Sequence, residues 1–337
     1  PEYICDPIHI HGFYVTYDIH IKISLNLLLL GWMDMNGWLV VNEFLNSNKF
    51  NEIHQWLLEA AKKQGITMQL RTNAQLLVDI ISEKTLKTKE RQADFVLFWD
   101  KDVRLASYLE RLGYPVYNSS KAIGICDDKS LTHLTLMNKG LRMPRTILAP
   151  MTFANIGYTN VTFLEEVAGR LGFPIVVKEC FGSFGQQVYL VNNFDELKDK
   201  VKQIGIKPIL FQEYISSSFG RDVRLQVVGS QVVASMYRYS ENGDFRANLT
   251  IGGKMREYSP TREQCEIALR ACEIIGLDFA GVDLLFGSDG EPIVCEVNSN
   301  AHFKNIYDCT GVNVADAIIA HIKEHGRYLS SREAGLS

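Results

Sequence analysis

The 337-residue chain lacks several features that would assign it to a common class of protein. It has no unbroken run of about 18 apolar residues, the length that a transmembrane helix needs. Its seven cysteines contain no Cys-x-x-Cys pair, so a zinc site has little support and we expect scattered, reduced thiols in a cytoplasmic protein. The Gly-x-Ser-x-Gly and His-Glu-x-x-His motifs are also absent, which leaves hydrolases of those types without support.

The charge balance gives no support for a large, strongly charged partner. Lys and Arg number 35, Asp and Glu number 39, and the formal net charge is −4. General nucleic-acid binders are usually basic, so the sequence argues against that class. A local basic pocket is still compatible with this balance.

The first recognisable domain begins at Met35 and alternates strands with helices. This order is typical of a parallel sheet with helices on its faces. The domain, over residues 35–125, carries no phosphate-loop fingerprint. Its predicted strands and helices occupy residues 38–44, 51–64, 66–70, 94–99 and 105–112.

The chain changes character on both sides of this domain. For residues 1–34 two interpretations stay open, an extension of doubtful structure and a genuine edge strand. After residue 125, a helix predicted at 126–140 leads into mixed strands and helices. We divide this part into a central lobe, a strand-rich C-terminal lobe and a tail, at residues 126–207, 208–325 and 326–337.

The most informative segment, residues 280–298, predicts a β-hairpin with a two-residue turn at 289–290. In that register Asp283 lies opposite Glu296, and Asn298 falls on the same face. Opposed carboxylates with Cβ atoms about 4.5–5.5 Å apart repel each other. A magnesium ion shared with phosphates would relieve this repulsion, and a solvated acidic face is the equal alternative for the segment alone.

Lys178 ends an apolar strand and precedes a loop that contains Gly182 and Gly185. Small residues let backbone N–H groups approach an anion, and lysine is a compact partner for phosphate oxygens. The alternative is an ordinary strand-end lysine that reaches solvent. For His302 we favour a structural hydrogen bond over contact with a substrate or removal of its proton.

The region from Arg221 to Arg262 contains seven basic residues and four acidic ones. Arginine suits the recognition of carboxylates and phosphates because its donors form a planar fork. Solvated strand faces are the alternative, and the better interpretation for Arg256 and Arg262.

Taken in order, eight short segments resemble the ATP-grasp superfamily, and more narrowly the RimK-type and LysX-type carboxylate–amine ligases. The resemblance covers residues 126–323 well and 35–125 in general layout. It implies an α/β protein, α+β in its C-terminal part, with an ATP-grasp fold and an N-terminal Rossmann-like pre-ATP-grasp domain. The first four segments, in chain order, are Asp128-Lys129, Val176-Val177-Lys178, Gly182-Ser183-Phe184-Gly185 and Gln212-Glu213-Tyr214-Ile215. The last four are Gly220-Arg221-Asp222-Val223-Arg224, Asn248 with Gly252-Gly253, Ala280-Gly281-Val282-Asp283 and Glu296-Val297-Asn298.

The resemblance also implies roles for these residues around an ATP molecule between the two lobes. The phosphates would be bound by Lys129 and Lys178 beneath the loop of Gly182, Ser183 and Gly185. The adenine and ribose would lie against Gln212, Glu213, Tyr214, Ile215 and Asp222, with Arg246 and Asn248 reaching the nucleotide or the substrate. Asp283, Glu296 and Asn298 would hold two Mg²⁺ ions, with Mn²⁺ as the alternative metal, and Arg224 and Arg238 would stabilise an acyl phosphate.

The implied activity is the ATP-dependent joining of an amine to a carboxylate through that acyl phosphate. The expected partners are ATP, an amino acid, most simply glutamate, and a carboxylate on a protein C-terminus, carrier protein, peptide or small molecule. Gln187 replaces a third loop glycine, and residues 299–305 replace the Ser-Pro-Gly of RimK-type ligases, so the acceptor's identity stays open. A non-catalytic nucleotide-binding module, a free-standing dipeptide or small-molecule ligase and a homo-oligomer also stay open.

Overall fold

A computed structural model describes residues 35–45, 47–80, 92–183 and 185–333 of the chain. Residues 1–34, and with them the choice between an extension and an edge strand, lie outside the described residues, as does the end of the predicted tail. Within the described part, the strands form one five-stranded and two four-stranded sheets.

The first sheet is parallel, as the alternation of strands and helices predicts. Its domain contains β1 (Met35–Val41), α1 (Asn48–Lys63), β2 (Ile66–Thr72), β3 (Phe95–Trp99), α2 (Val103–Arg111), β4 (Val116–Tyr117) and α3 (Ser120–Asp127). The strand order is β2-β1-β3-β4. Strands β1 and β3 are almost wholly buried because α1 packs on one face, against Leu39, and α2 packs on the other, against Val40.

The second sheet is antiparallel and has the order β5-β8-β6-β7. Its lobe contains α4 (Lys129–Leu136), β5 (Thr146–Leu148), α5 (Phe163–Leu171), β6 (Ile175–Glu179), β7 (Val188–Val191), α6 (Phe194–Ile204) and β8 (Ile209–Glu213). Strand β8 lies between β5 and β6, so this sheet extends to Glu213, beyond residue 207, where the sequence placed the lobe boundary. The exact division into lobes therefore stays a proposal.

The single helix predicted at 126–140 is wrong, because the segment forms two short helices. The break falls at Asp128, whose backbone is extended. Its carboxylate accepts hydrogen bonds from the backbone N–H groups of Ser130 and Leu131, at 2.8 and 3.4 Å. Asp128 thus caps the second helix, a role in which aspartate is favoured over the helix interior.

The third sheet is antiparallel, in the order β11-β10-β9-β12-β13. Its lobe contains β9 (Arg221–Val228), β10 (Gln231–Tyr239), β11 (Lys254–Glu257), α7 (Arg262–Ile275), β12 (Phe279–Phe286), β13 (Pro292–Asn298), α8 (Lys304–Thr310) and α9 (Val314–Glu333). One face packs on α7, and the other shares a hydrophobic cluster, through Met236 and Phe279, with Leu39 and Leu57 of the first domain. This shared core fixes the position of the third sheet relative to the first domain, and so the walls of any cavity between that sheet and that domain.

The β12–β13 hairpin brings Asp283 opposite Glu296, as the sequence predicts. The predicted two-residue turn is wrong, because the strands are joined by residues 287–291. The longer loop displaces the register by one residue, and a β-bulge at Cys295 displaces it back. The predicted pairing of Asp283 with Glu296 is therefore correct because the two one-residue displacements, from the longer loop and from the bulge, cancel each other.

Candidate active site

A cleft of about 900 Å³ lies between the second and third sheets. Every predicted site residue lines it except Arg224 and Asn298, which line an adjoining cavity. The predicted residues in the cleft are Lys129, Lys178, Gly182, Ser183, Gly185, Gln212, Glu213, Tyr214, Ile215, Asp222, Arg238, Arg246, Asn248, Asp283 and Glu296. Segments far apart in the sequence thus converge on one space.

One end of the cleft has apolar walls. Val176 and Leu285 face it from the two sheets, and Ile215 and Phe245 line it as well. The rings of Tyr214 and Phe245 have centroids 6.4 Å apart and are inclined at 75°. A planar, largely apolar group such as a nucleotide base fits walls of this composition.

The other end of the cleft is cationic. Lys178 is buried, and its ammonium has the Sγ of Cys295 as a weak neighbour at 3.7 Å. Among the described residues, no carboxylate lies within ion-pair distance of that ammonium. Burial, and then the charges of Lys178 and Lys129, lower the pKa of neighbouring His133 to about 3. Because a buried ammonium without an anion is costly, this end fits a bound phosphate.

A glycine loop approaches the cationic end. The Nζ of Lys129 donates to the Gly182 carbonyl at 3.0 Å, and Arg246 Nη1 donates to the Gly185 carbonyl at 2.8 Å. Gly185 has a φ of +73°, and a Cβ there would lie 2.7 Å from Oδ1 of Asn248. The loop therefore requires glycine at this position both for its conformation and for its close approach to Asn248.

A buried network of ion pairs surrounds Asp283. Arg224 donates to both of its carboxylate oxygens at 2.7 Å, and Arg238 Nη2 lies 2.9 Å from Oδ2. Arg238 also binds both oxygens of Asp222, at 2.6 and 2.8 Å. Burial raises the pKa of Asp283, but the two guanidinium charges more than offset it, so the pKa lies below its ordinary value.

This network explains how Asp283 and Glu296, which the sequence predicted to repel each other, can lie close together. Asp283 is neutralised by arginines, and Glu296 lies 3.7 Å from the ammonium of Lys129. A metal ion is therefore not needed to explain why Asp283 and Glu296 tolerate each other. The metal site predicted from the sequence thus stays a prediction, and both residues line the cleft.

The metal-binding chemistry of the predicted trio nevertheless fits a hard cation. Its ligands would be two carboxylates and the side-chain amide oxygen of Asn298, all of them the hard oxygen atoms that Mg²⁺ prefers. Within the described residues, no three His, Cys, Asp or Glu side chains form a group that could hold a metal by themselves. A Mg²⁺ ion bound by Asp283, Glu296 and Asn298 would share its coordination with phosphate oxygens.

The adjoining cavity, of about 1,420 Å³, lies between the N-terminal domain and the third sheet. It is continuous with the cleft, because Ser183, Arg238, Asn248 and Glu296 line both spaces. A molecule in the cavity can therefore reach a molecule in the cleft, which is the arrangement that a transfer between two substrates requires.

The N-terminal domain supplies cavity residues that the sequence analysis missed, among them Asn42, Lys49 and Asp100. Asn42 and Asp100 directly follow the neighbouring strands β1 and β3, and Asn42 Nδ2 donates to both Asp100 oxygens at 3.1 and 3.2 Å. Burial raises the pKa of Asp100. The sequence could have indicated these two residues, because they follow predicted parallel strands and ligands of open parallel sheets bind beyond the carboxyl ends of the strands.

His302 contacts the N-terminal domain, in agreement with the structural role favoured from the sequence. Its Nε2 lies 3.1 Å from the backbone carbonyl of Lys49, to which it donates. Burial, and then the charge of Lys49, lower the pKa of His302 to about 4, so the ring is neutral at pH 7.

The fold and the cleft together define an ATP-grasp ligase, and comparison with known proteins narrows the class. Residues 126–322 match the family described as RimK-like ATP-grasp domain, and the chain belongs to that family. The predicted fold and the predicted class, a ligase that forms C–N bonds, are confirmed. ATP and Mg²⁺ are the ligands typical of this family.

Two curated relatives have informative names. The chain is 34% identical over 220 residues to beta-citrylglutamate synthase B of Danio rerio, across 65% of this chain and 53% of the relative. It is also 34% identical over 231 residues to a probable alpha-L-glutamate ligase of Cellvibrio japonicus, across 67% and 73%. The chain thus spans about half the length of the first relative.

Among solved structures, D-alanine–D-alanine ligase from Bacillus anthracis superposes with a TM-score of 0.65 at 17% identity. The superposition covers 89% of this chain and 100% of that one, and at this low identity it shows only that the two proteins share a fold. Within the described residues, no helix combines the length and the apolar character that crossing a membrane would take.

Proposed function

We propose that the chain catalyses the ATP-dependent formation of an amide between a substrate carboxylate and the amino group of an amino acid. The observation that carries this proposal is the junction of the two spaces at Ser183, Arg238, Asn248 and Glu296. A cleft suited to a nucleotide opens there into a larger cavity with several polar side chains in its walls, so the terminal phosphate and a carboxylate can meet.

The reaction proceeds in two steps. A carboxylate oxygen attacks the γ-phosphorus of ATP, the bond to the β-phosphate oxygen breaks, and ADP leaves. The amine nitrogen then attacks the carbonyl carbon of the acyl phosphate. The C–O bond to phosphate breaks, and the products are an amide, inorganic phosphate and a proton.

The chain's own side chains neutralise charge and exclude water in these steps. Lys129 and Lys178 bind the phosphates, and the glycine loop covers them, held by Arg246. We propose that Arg238, only 3% exposed, and Arg224 stabilise the negative charge that develops on the acyl phosphate. Mg²⁺, when bound by Asp283, Glu296 and Asn298, supplies further charge neutralisation, and we propose two ions, with Mn²⁺ as a substitute.

Glutamate is our proposal for the amine. The names of both reported relatives contain glutamate, one as a glutamate ligase and one as a synthase of citrylglutamate. A small-molecule carboxylate is our proposal for the acceptor, because one of these relatives is named for the synthesis of citrylglutamate. A peptide, a carrier protein or a protein C-terminus is the alternative that the experiment below distinguishes.

The test is a matrix of ADP-release assays with Mg²⁺ or Mn²⁺. Each of the twenty amino acids is paired with citrate, other small carboxylates, peptides or a cell lysate, and mass spectrometry identifies the product. ADP release that needs both an amine and a carboxylate, with glutamate the best amine, supports the proposal. Nucleotide binding without turnover in any pair indicates a non-catalytic module and contradicts it.

A further inference from the structure

The side chain of Gln212 lies at the apolar end of the cleft. Gln212 is on β8, between Thr146 of β5 and Val176 of β6, and the three residues pair directly across these strands. Directly paired residues present their side chains on the same face of a sheet. Val176 and Gln212 both line the cleft, and Gln212 is only 1% exposed. Its amide therefore lies beside the walls that suit a nucleotide base.

A hydrogen bond to the backbone decides which way this amide points. The hydroxyl oxygen of Thr146 lies 2.8 Å from the Pro144 carbonyl, and a carbonyl can only accept, so the hydroxyl donates there. That hydroxyl oxygen can then only accept from Gln212, whose Nε2 lies 2.8 Å away. The amide atom that faces Thr146 is therefore the nitrogen, and the amide oxygen points elsewhere.

His133, on α4, accepts the second hydrogen of the same nitrogen. Its Nε2 lies 2.9 Å from Gln212 Nε2, and it must accept because an amide nitrogen can only donate. The ring is therefore neutral with its proton on Nδ1, in agreement with its pKa, which burial, and then the charges of Lys178 and Lys129, lower to about 3. Nδ1 is buried and has no partner among the described residues. The fold thus leaves one buried donor unpaired, at a cost in stability, while Nε2 fixes the amide.

Both hydrogens of the Gln212 nitrogen are used within the protein, and the oxygen is left for a ligand. Across the part of the chain that the structure describes, no donor reaches Oε1, and Oε1 is not one of the unpaired polar atoms that are closed off from solvent. A base in the cleft therefore meets a fixed acceptor. The amino group of a 6-aminopurine donates to such an oxygen, whereas the carbonyl of a 6-oxopurine would face it as a second acceptor.

We propose that His133 and Thr146 are positioning residues that hold the Gln212 oxygen toward the base, and thereby make the cleft prefer a 6-aminopurine nucleotide over a 6-oxopurine nucleotide. This inference rests on the proposed function, in which the cleft binds the nucleotide, and adds a mechanism of selectivity to it. Neither positioning residue lines the cleft, so both act through Gln212. Without the two acceptors the amide can turn and present its nitrogen to a 6-oxo group, which weakens the preference.

The test measures the binding of ADP and of inosine diphosphate by calorimetric titration with Mg²⁺ present. The two nucleotides differ only at the 6-substituent and the protonation of the adjacent ring nitrogen, and their binding needs no turnover. The variants are His133→Leu, Thr146→Val and the double variant, which remove the acceptors and leave apolar side chains of similar size. The control is Leu136→Ala, which makes a cavity beneath the same helix and leaves both acceptors in place.

We expect wild type to bind ADP at least about tenfold more tightly than inosine diphosphate. This ratio of affinities should fall about threefold in each single variant and about tenfold in the double variant. Leu136→Ala should unfold at a lower urea concentration and keep the wild-type ratio. Thr146→Val changes the shape of its side chain least, and so keeps the test available if His133→Leu does not fold.

Three results would overturn the inference and leave the ligase proposal intact. They are a ratio that stays unchanged in every folded variant, an equal loss of affinity for both nucleotides, and a wild type that binds both equally. If wild type binds neither nucleotide, the proposed function is contradicted together with the inference.

Discussion

Arg224 donates from Nε and Nη2 to the two carboxylate oxygens of Asp283, each at 2.7 Å, on neighbouring antiparallel strands. Arg238 approaches the same carboxylate from β10 and also binds Asp222. Four charges that would each be costly to bury alone therefore neutralise one another at the junction of cleft and cavity. The network joins β9, β10 and β12 at this junction, where Arg238 lines both spaces.

Replacing Asp283 by Asn should destabilise the fold. The change leaves two guanidiniums with one fewer buried anion, and breaking a buried ion pair on one side costs about 3–5 kcal/mol. We expect a loss of about 3 kcal/mol in the free energy of unfolding, measured by urea denaturation, together with loss of turnover. Asp289→Asn, in the exposed loop of the same hairpin, should change stability by less than about 0.5 kcal/mol. Equal stability of wild type and Asp283→Asn would contradict the network's role.

Replacing Lys178 by Met should separate binding from stability. The ammonium is buried without a carboxylate partner in the described structure, so an apolar side chain of similar length should leave the free energy of unfolding unchanged or higher. Affinity for an ATP analogue should fall at least about tenfold, because a charge-assisted phosphate contact is lost. Calorimetric titration and urea unfolding measure the two effects, with exposed Lys121→Met as the control. Unchanged affinity would remove Lys178 from the phosphate site.

Gly185→Ala and Gly205→Ala form a matched pair. Both glycines have positive φ, +73° and +74°, so each alanine should cost about 1 kcal/mol of stability. A Cβ at residue 185 would meet Asn248 at 2.7 Å, whereas nothing lies within 4 Å of one at residue 205. Only Gly185→Ala should therefore raise the KM for ATP, as steady-state kinetics can measure. If both variants, or neither, affect this KM, close approach of the loop to Asn248 does not matter for the nucleotide.

The buried His133 should make the protein less stable in acid. Its ordinary pKa of 6.5 is lowered to about 3 in the folded state, so between these pH values the unfolded chain binds a proton that the folded chain does not. The free energy of unfolding should therefore fall with falling pH, by up to about 1.4 kcal/mol per unit from this group. Urea titrations at pH 6.5, 5.5 and 4.5 should show a shallower decline for His133→Gln than for wild type. Parallel declines would show that His133 protonates equally in both states.

The sequence predicted the residues of single local segments better than the contacts between distant segments. Strand periodicity and the ordered motifs identified the residues around the cleft, because each motif is a short local pattern and most of the motifs lie in or beside strands. The position of Asp128 between two helices was missed, because the preference of aspartate for the first position of a helix was not weighed. The pairing of Asp283 with Glu296 was found, but not the arginines that bind Asp283, because their approach depends on the order of β10, β9 and β12 in the sheet.

The cavity residues of the N-terminal domain show the same limit. Lys49 lies on a helix of the first domain and Arg224 on a strand of the third sheet, and no local pattern in the sequence shows that both line one cavity. Asn42 and Asp100 could have been found from their positions after two parallel strands. Their direct hydrogen bonds required the observed register of β1 and β3.

The most direct test of a carboxylate–amine ligase follows the oxygen atoms. The carboxylate substrate that supports ADP release is prepared with ¹⁸O in its carboxylate, and the released inorganic phosphate is analysed by mass spectrometry. An acyl phosphate intermediate predicts one ¹⁸O atom in each phosphate, in step with amide formation. Phosphate that carries no ¹⁸O while the amide accumulates would contradict the account.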